Sequence, residues 1–344
     1  MYLAFFISFL FTFLITPLIN RLSSYFGLLD KPDARRRHDK PTARLGGIAI
    51  FISCLLSLLL LNIFEFNFFE INSSANETKA ISIFFLGLIT YFLIGLSDDI
   101  YRLSPWPRLA AQGIIAAIIW FLGLRIESYD FFISGNLNHF ASFFFTIFWI
   151  MGITNAINWL DGLDGLASGV SSVSFVGIGI IALNNNNILV ATLSAILAGS
   201  CVGFLSLNSH PAKIFMGDSG SFLIGFSLAS LSLMGFTNYE NNVDFLPILI
   251  ILFLPILDMI QVILGRLLKR KSPFFPDRSH LHYKLINLGF NQKQVFFLYF
   301  LISTILLLAY MISVKINFPY GLLIINFMLN LYFLVRNNLR LNPK

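Results

Sequence analysis

Residues 143–183 read FFFTIFWIMGITNAINWLDGLDGLASGVSSVSFVGIGIIAL. Two apolar runs flank a short polar stretch that carries Asn155, Asn158, Asp161 and Asp164. Each run approaches the roughly 20 residues a helix needs to cross hydrocarbon. The stretch between them is so brief that the two helices must run antiparallel. Working outward, further runs begin near Tyr2, Gly46, Ala80, Leu109, Ile188, Ser219, Phe245, Val295 and Phe318. With those starting near Phe140 and Leu166 they predict an all-α, polytopic membrane protein of about eleven transmembrane helices. The fourth, ending near Leu124, is the shortest. Composition agrees: the chain is 57% hydrophobic and 12% charged, with a mean hydropathy of +0.79. A soluble domain needs more charge than that on its surface. The segment from Met1 to Ile19 has no basic start and no small-residue cleavage signal, so it reads as a retained span rather than a signal peptide.

Charge fixes the expected orientation. Of the 23 lysines and arginines, all but Lys79, Arg125 and Lys315 fall in odd-numbered connections or the C-terminal tail. The positive-inside rule then places the N-terminus outside and the C-terminus in the cytoplasm. A span wrongly added or dropped would blur that asymmetry. The net charge of +6 is thereby a topology signal, and no nucleic-acid partner is expected. No segment is large enough to fold alone, so residues 1–344 form one integral membrane domain. Its predicted cytoplasmic loops are 20–45, 97–109, 155–166, 207–219 and 266–294. Cys54 and Cys201 lie far apart inside apolar runs and read as buried side chains, not as a disulfide or zinc framework.

The unusual polar residues gather in those five loops. They include Asp30-Lys-Pro-Asp-Ala-Arg-Arg-Arg-His-Asp-Lys-Pro-Thr-Ala-Arg-Leu-Gly-Gly47, Ser97-Asp-Asp-Ile-Tyr-Arg-Leu103 and Asn155-Ala-Ile-Asn-Trp-Leu-Asp-Gly-Leu-Asp-Gly165. The last two contain Asn208-Ser-His-Pro-Ala-Lys-Ile-Phe-Met-Gly-Asp-Ser-Gly-Ser221 and Ser272-Pro-Phe-Phe-Pro-Asp-Arg-Ser-His-Leu-His282. Asp98, Asp99, Asp161, Asp164 and Asp218 put five carboxylates at one membrane surface, where they repel unless protons or a cation intervene. Oxygen ligands favour a hard ion, Mg²⁺ or Mn²⁺, and Mg²⁺ commonly bridges a substrate phosphate. Asp161 and Asp164, three apart, would share a face of a helical turn. Helix capping is the plain alternative for Asp161 or Asp218 taken singly. It does not suit Asp98 and Asp99 at a helix C-terminal end, where the dipole disfavours negative charge. Arg35, Arg36, Arg37, Lys40 and Arg44 serve equally as topology determinants or as phosphate ligands. Arg278, His280 and His282, set among prolines and aromatics, suit a diphosphate better than they suit zinc. Metal-holding carboxylates beside phosphate-holding bases describe phosphoryl transfer. No Walker A or kinase glycine loop is present, so the donor is expected to be something other than ATP. A transporter with an acidic mouth is the rival class, but it needs charges along a path through the bilayer. Asp258 is the only acid well inside a span, and it reads either as a functional charge or as a residue facing a water-filled cavity.

With these loops in view, residues 14–290 resemble the polyprenyl-phosphate N-acetylhexosamine-1-phosphate transferase superfamily, glycosyltransferase family 4. Asn-x-x-Asn-x-x-Asp-Gly-Leu-Asp-Gly at 155–165 and Phe-Met-Gly-Asp-Ser-Gly-Ser at 215–221 carry the resemblance. The 272–282 segment and Arg44-Leu-Gly-Gly47 are similar to the undecaprenyl-phosphate GlcNAc-1-phosphate transferase branch, which starts O-antigen, enterobacterial common antigen and wall teichoic acid. The peptidoglycan enzyme typically shows three consecutive histidines in the last loop. This chain departs from its branch at Tyr283, often a His, and in placing Arg102 or Arg108 where a Lys is common.

The resemblance implies transfer of a sugar-1-phosphate, GlcNAc-1-phosphate foremost, from a UDP-sugar to undecaprenyl phosphate, releasing UMP. The alternatives are another UDP-N-acetylhexosamine or UDP-MurNAc-pentapeptide. It also implies Mg²⁺ dependence and a multi-pass protein among the lipids of the plasma (inner) membrane, with its site on the cytoplasmic face. A homodimer is left open. By resemblance, Asp218 is the metal ligand with Asn158 assisting, and Phe215 stacks on uracil. Asp98 and Asp99 lie at the lipid phosphate and diphosphate, Asp98 being the candidate to deprotonate or orient the attacking phosphate. Asp161 and Asp164 shape the nucleotide pocket. Arg278, His280 and His282 hold the donor, with Asn155, Lys213 and Arg44 as further substrate-binding residues.

Overall fold

The computed structural model describes residues 1–30, 41–64, 75–130, 135–236, 243–272 and 279–316. Its helices, in chain order, are α1 (Tyr2–Tyr25), α2 (Gly46–Phe64), α3 (Ala75–Tyr101), α4 (Pro105–Leu122), α5 (His139–Leu160), α6 (Leu166–Asn184), α7 (Ile188–Asn208) and α8 (Gly217–Gly235). They continue with α9 (Phe245–Ile251), α10 (Phe253–Leu268), α11 (Leu281–Asn287) and α12 (Gln292–Ile316). Five short strands join them: β1 (Leu29–Asp30), β2 (Thr42–Ala43), β3 (Ser128–Asp130), β4 (Gly135–Asn136) and β5 (Val243–Asp244).

The protein is an all-α polytopic membrane protein. Among the described residues, eight helices are long and apolar enough to cross a membrane. α9 and α10 together make a ninth if read as one broken span. The expected eleventh run, from Phe318, lies outside the described residues. Exposed Phe6, Leu14, Phe121, Phe148, Phe297 and Leu308 make an apolar outer surface that fits hydrocarbon rather than water. α8 lies at the centre, buried along almost its whole length and packed by α3, α5 and α2. Its serines and Asp218 lower its hydropathy, which a helix shielded by others tolerates. α1 packs on α7 and α2, while α6 lies between α7 and α12.

The ninth run is not one straight helix, contrary to the sequence expectation. α9 and α10 are bent by 81° about Leu252. Pro255 has no N–H to donate to the Ile251 carbonyl, which would be its partner in a continuous helix. The hydroxyl of Ser174 donates to that carbonyl instead, at 3.2 Å, so a neighbouring helix satisfies the freed group.

Glycine sets the approach of α2 to α8. A Cβ on Gly47 would collide with the backbone of Gly220, so the two helices meet backbone to backbone. The same holds for Gly95 of α3 against Asp218. At one end of the bundle, β1 pairs antiparallel with β2, and Ala43 bridges in parallel to Ile214. Phe215 N–H donates to Ala43 O at 2.7 Å, and Gly46 and Gly47 N–H donate to Phe215 O and Met216 O. The first polar loop is thus zipped to the segment leading into α8. At the opposite end, a three-stranded patch ordered β4-β3-β5 ties the α4–α5 connection to the α8–α9 connection.

Candidate active site

The C-terminal ends of α3 and α5, the N-terminal end of α8 and the β2–α2 junction meet at one cleft. Arg44, Asn158, Asp161, Asp164, Phe215 and Asp218 line it, along with Asp30 from the first polar loop and Gln292, which no sequence motif marked.

Asp218 opens α8 within its first turn, where the helix dipole favours a carboxylate. Its Oδ1 accepts from Asn158 Nδ2 at 2.5 Å and its Oδ2 from Arg44 Nη2 at 2.5 Å. Asn158 also donates to Ser221 Oγ at 2.9 Å. Gly217 precedes Asp218 with φ +76°, and a Cβ there would strike Arg44 O and the Asp99 carboxylate. Glycine is required at this position both by conformation and by space.

The two adjacent aspartates of α3 do different things. Asp99, its side chain fully buried, accepts from the backbone N–H of Asp218 at 2.8 Å and of Ser219 at 2.9 Å. It therefore caps α8 from another helix, and its Oδ1 also meets Arg44 Nε at 3.0 Å. Asp98 accepts from Arg108 Nη1 at 2.6 Å and feels the like charge of Asp218. Of the two arginines expected to replace a lysine, Arg108 is the one paired with Asp98. It stands in the first turn of α4 over the ring of Phe222, whereas Arg102 lies exposed with a positive φ.

Asp161 and Asp164 do not share a helical turn as expected. They sit in the non-helical reversal between α5 and α6, where Gly165 adopts φ +75°. Both still face the cleft. Burial and the neighbouring Asp218 carboxylate push Asp161 well above the ordinary carboxylate range. Asp164 Oδ2 meets His210 Nδ1 at 2.7 Å and accepts from Ala212 N–H at 3.1 Å, fastening the α7–α8 segment to the reversal. Asn208 reinforces that fastening, accepting from Gly165 N–H and donating to Ile214 O. Burial opposes the charge on Arg44, but Asp218 and Asp99 outweigh it and hold the guanidinium above its usual value.

The other expected site residues are less uniform. Phe215 is half-buried on the cleft wall. Asn155 points away, donating to Gln112 Oε1 at 2.7 Å and tying α5 to α4. Lys213 is exposed and does not line the cleft. His280 and His282 are buried just behind the cleft, their rings stacked 5.4 Å apart, while Tyr283 reaches it and donates to Gly162 O at 3.3 Å. Arg278 lies outside the described residues.

The donor set suits a hard divalent ion. Among the described residues no three His, Cys, Asp or Glu side chains converge closely enough to enclose a metal by themselves. Asp98 and Asp218 nevertheless supply carboxylate oxygens near one another, their like charges offset by Arg108 and Arg44. Mg²⁺ typically takes one or two carboxylates and completes its shell with water and phosphate, which this set matches.

Residues 81–236 match the family described as Glycosyl transferase family 4. The chain is 34% identical over 307 residues to a probable undecaprenyl-phosphate N-acetylglucosaminyl 1-phosphate transferase of Bacillus subtilis, covering 88% of this chain and 82% of that protein. The chain belongs to glycosyl transferase family 4. The chain is also similar to the undecaprenyl-phosphate alpha-N-acetylglucosaminyl 1-phosphate transferase of Haemophilus influenzae and the decaprenyl-phosphate N-acetylglucosaminephosphotransferase of Mycobacterium leprae. The first is 30% identical over 88% of this chain and 84% of its own length. The second is 31% identical over 84% and 78%. The matched region of family 4 runs from α3 to the end of α8 and so contains Asp98, Asp99, Asn158, Asp161, Asp164 and Asp218.

Proposed function

We propose that the chain transfers GlcNAc-1-phosphate from UDP-GlcNAc to undecaprenyl phosphate on the cytoplasmic face of the plasma membrane, in a Mg²⁺-dependent reaction that starts a cell-envelope polysaccharide. One observation carries this reading: Arg44 and Asn158 converge on Asp218 in a cleft at the bundle's end that Asp161 and Phe215 also line, and the Asp98–Arg108 ion pair neighbours it. The names of the relatives support the two substrates.

An oxygen of the acceptor phosphate attacks the phosphorus that bears the sugar. A new P–O bond forms, and the bond from that phosphorus to the bridging oxygen breaks. The bridging oxygen leaves with its electron pair on UMP. A phosphate monoester is largely ionised at neutral pH, so the protein mainly orients charge rather than removing a proton. α4 exposes Trp106, Ile114 and Phe121 on its outer side. Arg108, in its first turn, is the cation that a polyprenyl phosphate arriving along α4 meets first, and Asp98 aims it. Arg44 bridges Asp99 and Asp218 and presents its charge at the cleft, beside Phe215 for the base. Asp99 has both oxygens committed to α8 and to Arg44, which makes it a positioning residue. Asp218, with Asp98 and Asn158, would hold Mg²⁺, which when bound would supply positive charge to offset that of the diphosphate.

The test is UMP release by purified protein in detergent with undecaprenyl phosphate, Mg²⁺ and a panel of UDP-sugars. UMP with UDP-GlcNAc and none with UDP-MurNAc-pentapeptide is expected. UMP from another sugar alone would change the donor and keep the chemistry. A folded, lipid-binding protein that releases UMP from no donor would sink the reading.

A further inference from the structure

Asp258 is an acid in the second turn of α10, 1% exposed and outside the cleft. A buried carboxylate is costly unless its oxygens are satisfied. Here they are: Oδ2 meets His280 Nδ1 at 2.7 Å, and Oδ1 accepts from Leu281 N–H at 2.5 Å and from Gln261 Nε2 at 3.1 Å. The Leu281 amide is the first of α11, so Asp258 secures that helix's N-terminal end from the side of α10. Gln261 continues the row, accepting from Lys284 Nζ at 2.7 Å.

What is held in this way leads to the aspartate reversal. His280 lies edge-on to Trp159 at 5.5 Å and stacks on His282. Arg266, two turns beyond Asp258 on α10, sits over the ring of the same Trp159, 5.3 Å from its centroid. His282 presses on Gly162, where a Cβ would strike its Nε2 and the Tyr283 hydroxyl. Gly162 lies between Asp161 and Asp164. A continuous chain of contacts therefore runs from Asp258 through His280 and His282 to the turn that lines the cleft.

We infer that Asp258 is a positioning residue for the donor side of the reaction, fixing the ring of His280 and, through the 280–283 segment, the aspartate turn at 161–164. The inference rests on the transferase reading. With the carboxylate accepting from Nδ1, the neutral imidazole keeps Nε2 as its acceptor nitrogen. An asparagine in place of Asp258 keeps the size but removes the charge that selects this tautomer.

The experiment measures UMP release for wild type, Asp258→Asn, His280→Ala and the double variant, with KM determined separately for UDP-GlcNAc and undecaprenyl phosphate. D258N is expected to raise KM for the UDP-sugar or lower kcat by about tenfold or more, leaving KM for the lipid within about twofold. In the His280→Ala background the same change should add less than about twofold, because residues acting as one unit are not additive. Full activity of D258N, losses that multiply in the double variant, or an equal shift in both KM values would overturn the inference. So would a D258N protein that cannot be recovered folded, since a residue that only positions this segment leaves the bundle intact. A wild type silent toward every donor would instead fail the transferase reading and leave its own distinct signature.

Discussion

At the level of single residues, Asp98 and Asp99 show what sequence can and cannot assign. Their adjacency at a helix C-terminal end was legible as an anomaly, because the dipole there opposes negative charge. Which carboxylate does what depends on α8 arriving from more than a hundred residues away in sequence, and no local pattern carries that information. Asp99 is spent on two amides of α8, whereas Asp98 faces Arg108 and Asp218. Asp218→Asn is therefore expected to leave the fold intact and cut UMP release at least about a thousandfold, the scale of losing a central electrostatic group. Unchanged turnover at saturating Mg²⁺ would remove Asp218 from the metal site. His282 offers a separate test. It is fully buried, both ring nitrogens are unpartnered among the described residues, and burial, working against the nearby Asp258, lowers its pKa to about 4. An unfolded histidine titrates near 6.5, so between those values the unfolded chain binds the extra proton. Stability should fall by about 3 kcal/mol as pH drops through that window and level off below it. Thermal unfolding in detergent checks this, and His282→Gln should flatten the slope by one proton. An unaltered slope would mean that His282 is not held neutral.

At the level of elements, apolar run length placed the first eight helices and α12 within a few residues. Hydrocarbon thickness imposes that length directly on the sequence. The break at Leu252 was not legible, although Pro255 was in plain view. A proline in a membrane helix is tolerated or not according to what neighbours supply, and here the supplier is Ser174 on α6. Likewise the 155–165 stretch announced a reversal, but not that it would leave helical geometry between Asp161 and Asp164. Gln292 carried no signal at all, and Asp30 stood out only as the start of the first polar loop. They reach the cleft because α12 begins and β1 ends beside it. The contact of α2 with α8 is the most demanding element pair, since Arg44 stands two residues before α2 and its partner Asp218 stands in the first turn of α8. Gly47→Ala must drive the two backbones apart. Overpacking of this kind typically costs about 1–3 kcal/mol. The variant should melt earlier in detergent and lose activity together with the Arg44–Asp218 pair. A variant as stable and as active as wild type would show that the helices have slack the packing does not reveal.

At the level of the whole molecule, all the polar chemistry lies at one end of the bundle, and this follows from alternation. Every helix that ends at the cleft is followed by one that begins there, so α1–α2, α3–α4, α5–α6 and α7–α8 deliver their connections to the same side. Asp30, Arg44, Asp98, Asp161 and Asp218 come from four of these connections. Basic residues concentrate on that side too, which is the physical content of the orientation proposed here. Single cysteines at Lys213, beside the cleft, and at Asn184, at the far end of α6, decide it. Both positions are exposed, and the native Cys54 and Cys201 are 3% and 0% exposed, so they contribute no background. In intact cells stripped of their wall, a membrane-impermeant maleimide should label Asn184→Cys at once and Lys213→Cys only after the membrane is opened. The reverse pattern would turn the molecule over and place its cleft away from cytosolic nucleotide sugars. The donor would then have to be sought outside, and the UDP-GlcNAc reaction would lose its physical basis even with every residue of the site in place.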